Sequence, residues 1–177
     1  MEQEYSGATG EPEKAPSQAE GFAQNVTGEQ VQFGPGFAVS VQGGQDVEMA
    51  QAGALGVVAG RDMAVSYGGA LVQVAGGDMQ ITNGGAETMI IGGDAKLQNG
   101  GALIMLAGGD LSITNAGGLL LAGQEVTAQQ GFFGIVLTPK MTLGEGSKVL
   151  MDTKQAAIFG AVFGLVFGLL SLVFRRK

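Results

Sequence analysis

The sequence predicts an all-β fold: a β-solenoid (β-helix) of 16-residue coils, each made of two eight-residue half-coils, followed by a single C-terminal transmembrane helix. Three observations predict it: a tandem repeat, a large excess of glycine, and an uncharged apolar run at the end of the chain. From Gly44 the blocks GQDVEMAQAGALGVVA, GRDMAVSYGGALVQVA, GGDMQITNGGAETMII and GGDAKLQNGGALIMLA follow one another without a gap. A fifth, GGDLSITNAGGLLLA, is one residue short, and GQEVTAQQGFFGIVLT restores 16. Glycine supplies 33 of 177 residues, far above its ordinary share of about 7%.

Each block splits into two eights, each opening on Gly-Gly or a degraded version of it. Eight residues are too few for a helix but suit one short strand and one corner. Parallel stacking at about 4.8 Å per coil then builds one continuous core, which a lone coil is too small to form. The deletion, read as falling after Asn115, predicts a tighter corner there. A three-sided coil with shorter strands is the competing geometry.

Three segments follow. Residues 1–25 carry five Glu and one Lys and read as a disordered acidic arm. Residues 26–154 are the solenoid, and residues 155–177 the helix with its basic end Arg175-Arg176-Lys177. No secretory signal is legible at the start.

The chain has no Cys and no His, which removes thiol nucleophiles, imidazole bases and the usual zinc ligands. The net charge is −7, and no basic stripe marks a nucleic-acid binder. Neither a phosphate-binding glycine loop nor a matched acid–base pair occurs. We therefore expect no enzyme, no cofactor and no nucleic-acid partner.

Two ladders run through the repeat. Asp46, Asp62, Asp78, Asp94, Asp110 and Glu125 recur at one corner. Their expected role is to accept backbone N–H bonds at the turn; clustered carboxylates also make them candidate Ca²⁺ ligands. Asn83, Asn99 and Asn115 form a second, structural ladder.

The first eight of each block alternates, with Met63, Val65, Met79, Ile81, Leu97, Leu111 and Ile113 inward. The second eight does not. Taking Gln73 and Glu87 as outward markers places Val72, Val74, Ile90, Ile104 and Leu106 in the core. It turns Leu55, Val57, Leu71, Met89, Leu103, Met105, Leu119 and Leu121 outward. A sheet apolar on both faces is normally covered, so this face is expected to meet partner subunits or copies of the chain.

Ala156–Phe174 is long enough, at about 28 Å, to span a bilayer core of about 30 Å. Ala156, Gly160, Gly164 and Gly168 line one side of it, a small-residue row suited to helix packing. Equal Lys and Arg counts on the two flanks leave orientation open, and the missing signal favours the solenoid on the cytoplasmic side. The sequence thus points to a membrane-anchored scaffold with membrane lipid among its partners. The alternatives are a surface-exposed adhesin or spike-like binding module and a filament-forming cytoskeletal solenoid.

Overall fold

The computed structural model describes residues 17–174; within the C-terminal helix it describes the side chains of residues 153–162, 164 and 165. The strands are β1 (Ser17–Gly28), β2 (Val31–Gly43), β3 (Val47–Ala50), β4 (Ala52–Ala59), β5 (Met63–Ala75), β6 (Met79–Ile91), β7 (Ala95–Ala107), β8 (Leu111–Ala122), β9 (Glu125–Leu137), β10 (Lys140–Leu143) and β11 (Ser147–Met151). All their pairings are parallel. Each strand, or each of the pairs β3–β4 and β10–β11, forms one coil stacked on the next. The first strand begins at Ser17, inside the segment expected to be an arm, and residues 1–16 lie outside the described residues.

From the β3–β4 coil to β9, each coil bends at three places. One is the Gly-Gly-Asp corner between strands. The second is a single residue with positive φ: Gln51, Tyr67, Asn83, Asn99, Asn115 and Gln130, all between 53° and 56°. Asn tolerates this left-handed region better than most L-residues, which explains the Asn ladder; Asn115 Nδ2 also donates to Asn99 Oδ1 at 2.8 Å. The third bend is at Leu55, Leu71, Glu87, Leu103 and Leu119, where the ladder skips a pair in coil after coil. The coil therefore has three short sides and not two half-coils. The first side follows the acid corner, the second lies between the Asn and Leu corners, and the third follows the Leu corner.

On the second side the backbones of adjacent coils approach closely. A Cβ on Gly84 would overlap the carbonyl oxygen of Gly68, and one on Gly85 that of Gly101. Glycine is required here by contact with main chain, which has no rotamer to yield.

The missing residue lies elsewhere than expected. β7 and β8 keep a 16-residue offset through Leu106↔Ala122, and β8 and β9 keep a 15-residue offset through Ala122↔Leu137. The deletion thus sits after Ala122, where Gly123 alone fills the place of Ala107-Gly108. Gly123 N donates to Leu137 O at 3.2 Å and Gln124 N to Gly109 O at 2.8 Å, so the shortened acid corner remains hydrogen-bonded.

Helix α1 (Thr153–Phe174) replaces the third side of the last coil. Asp152 and Gln155 cap it reciprocally: Gln155 N donates to Asp152 Oδ1 at 2.8 Å, and Asp152 N to Gln155 Oε1 at 3.2 Å. The transmembrane expectation is corrected here. Among the described residues no helix is long and apolar enough to cross a membrane. With that, the membrane-anchored scaffold, the lipid partner, the single-pass membrane localisation and the cytoplasmic orientation derived from it all lose their basis.

Candidate interaction surface

The acid corner is built from a backbone deficit. At the glycine pair, main-chain N–H groups bond the preceding coil: Gly76 N donates to Ala59 O at 3.0 Å and Gly77 N to Arg61 O at 2.7 Å. The N–H of the following Asp finds a carboxylate instead. Asp78 N donates to Asp62 Oδ1, Asp94 N to Asp78 Oδ1 and Asp110 N to Asp94 Oδ1, each at 2.8 Å. One Asp per coil is therefore what the geometry needs, because each carboxylate satisfies one donor of the next coil. Gly77, Gly93 and Gly109 leave room for it, since a Cβ at each would overlap that same Oδ1.

Where the second glycine is replaced, the bond lengthens. Arg61 takes this place after Asp46 and pairs with its carboxylate, Nη2 to Oδ2 at 2.7 Å; Asp62 N then lies 3.4 Å from Asp46 Oδ1. The Arg61 hydrogen bond holds the Asp46 carboxyl below the usual carboxylate range. At the far end Lys140 occupies the position that the acids hold in earlier coils, paired in register with Glu125. Its Nζ donates to Glu125 Oε2 at 2.6 Å, and this bond raises the lysine pKa. A row of like charges thus closes on a cation. For the candidate Ca²⁺ ligands Asp46, Asp62, Asp78, Asp94, Asp110 and Glu125, the first five each accept a neighbouring backbone N–H. Among the described residues no three acidic side chains converge as a metal site.

The third side carries the larger surprise. Val57, Met89, Met105 and Leu121, expected outside, are buried, Met105 to 1% exposure. Leu55, Leu71, Leu103 and Leu119 are exposed as expected, the last two at 55% and 59%. Of the residues assigned to the core, Val72, Ile90 and Leu106 are exposed and Val74 and Ile104 half-buried. The Leu corner is the cause. It sets two consecutive residues outward, so parity along the strand changes after it and alternation cannot be carried through.

The exchange leaves the surface apolar all the same. Val39, Leu55, Val58, Leu71, Val72 and Ile90 are exposed, and the strip continues through Leu103, Leu106, Leu119 and Leu137. Glu87 and Thr88 notch it midway. The first coil shows Gln24, Asn25 and Thr27 at the equivalent positions, so the strip begins at β2.

Gln73 faces the core beneath this strip. It is 0% exposed, and neither Nε2 nor Oε1 has a hydrogen-bond partner. Its Cα partners are Val57 and Met89, so an amide stands where neighbouring coils place apolar groups. Exposed aromatics are spread out. Phe22 and Phe37 stack at 6.3 Å near the first coil, while Phe132 lies on β9. On the small-residue row of α1, Gly160 and Gly164 border open space and Ala156 is half-buried. The surroundings of Gly168 lie outside what the structure describes. No protein-family model matches the chain, and no curated protein or solved structure matches it either.

Proposed function

We propose that this chain is a self-assembling structural rod, closest to the filament-forming solenoids, and that it is not an enzyme. The observation that carries this is the apolar strip along the third side, running from Val39 to Leu137. A parallel sheet whose outer face is apolar is normally covered by another layer, and patches of this continuity mark interaction surfaces. The two ends of the stack support the same reading. Among the described residues, β1 pairs with β2 alone, and β10 and β11 with β9 alone, so the outer edge of each end coil is left to pair with another chain.

The test is the concentration dependence of mass for the full chain, by analytical ultracentrifugation with negative-stain microscopy of the same samples. Assembly that grows with concentration is the expected result. A monomer throughout the range from about 1 to 100 μM, where specific protein contacts form, overturns the proposal.

A further inference from the structure

The chain exposes two apolar surfaces. The strip from Val39 to Leu137 crosses seven coils, about 29 Å between the first and last at about 4.8 Å per step. Helix α1 presents its described apolar residues from Ala156 to Leu165, about 15 Å at 1.5 Å per residue, or about half the length of that strip. Between Ala156 and Leu165 the sequence contains no polar side chain. Ile158, Val162 and Leu165 are each more than half exposed. Gly160 and Gly164 have open space on their Cβ side, so that stretch of α1 can approach a sheet closely. A helix over a parallel sheet is the ordinary way such a face is covered.

The helix does not cover its own strip. Its start is tied to the end of the third side: Thr138 N donates to Thr153 Oγ1 at 2.9 Å, and Thr153 Oγ1 donates to Thr138 O at 2.9 Å. α1 packs on the ends of β9 and β11, and the strip stays exposed along its length. We infer that the occupant of the strip is α1 of a second copy, the two chains meeting at their C-terminal ends and exchanging helices. The exchange buries both apolar surfaces at once without any partner of different sequence. It rests on the self-assembly proposed above and names the contact within it.

The absence of Cys from the chain makes a direct test possible. Full-length Leu103→Cys and Val162→Cys proteins are purified separately, mixed in equal amounts and oxidised, with circular dichroism confirming that both remain folded. A disulfide between one copy's strip and the other's helix is the expected main product. Adding Leu71→Ser and Ile90→Ser to the Leu103→Cys chain should abolish it. Crosslinks joining strip to strip or helix to helix would retain self-assembly and overturn the helix exchange. So would an assembly that gives no crosslink. A monomer that gives none overturns both readings.

Discussion

The first and third sides of one coil treat polarity in opposite ways. On the first side Met63, Val65, Ile81 and Leu97 are buried and Gln80, Lys96 and Ser112 exposed, and the adjoining corner satisfies its N–H groups with carboxylates. On the third side an unpaired amide, Gln73, is buried and Leu and Ile residues stand outside. Both sides belong to the same repeat and share the same core, so neither propensity nor stacking explains the contrast. The first side is finished against water, whereas the third is finished only when something lies on it.

Three experiments break or sharpen this contrast. The largest effect belongs to a pair compared directly. Leu97→Ala removes a buried first-side group and should cost about 3 kcal/mol. Leu103→Ala on the exposed strip should stay within about 0.5 kcal/mol for the dissociated chain. Chemical denaturation at low protein concentration measures both, and equal losses would mean that the strip is already covered within one chain. Next, Gln73→Met places an apolar group where the orphaned amide stands and should stabilise by about 1–2 kcal/mol. A loss of stability would show that the amide has a partner, and that the third side is less anomalous than it looks. The smallest effect is expected at the acid corner. Asp94→Ala leaves the Asp110 N–H without its acceptor and should cost about 1 kcal/mol, with Asp94→Asn recovering most of it. If thermal melts show no difference between the Ala and Asn variants, the ladder does not act through that hydrogen bond.

Much of this architecture is legible in the residues because the repeat imposes one register throughout. The 16-residue period, the acid corner and the alternation of the first side all follow from it. The phase of the third side was not legible. Gln73 and Glu87 lie two places apart in the repeat, so strict alternation turns both outward, yet Glu87 is exposed and Gln73 buried. The Leu corner, which Glu87 itself occupies, carries Leu or Glu from β4 to β8 and no turn residue at that place to announce a bend. The deletion was misplaced for a related reason. Asn-Ala-Gly-Gly reads as a shifted glycine pair, but the ladder keeps Ala116 opposite Gly100 and Gly117 opposite Gly101, so the gap moves on to Gly123. At the C-terminus an uncharged run gave a correct helix, while hydropathy alone did not determine what the helix meets.

The carboxylate that binds the following coil has a consequence for inheritance. Each interior coil carries both the acceptor for its successor and the donor for its predecessor, so a coil is a self-sufficient cassette. Duplicating Gly76–Ile91 in frame would present matching surfaces above and below and lengthen the rod by about 4.8 Å. Rod length can therefore change by gene-internal copying without redesign of any contact. Length changes other than a whole coil have to be absorbed at a corner, as the turn at Gly123 absorbs the residue that its coil lacks.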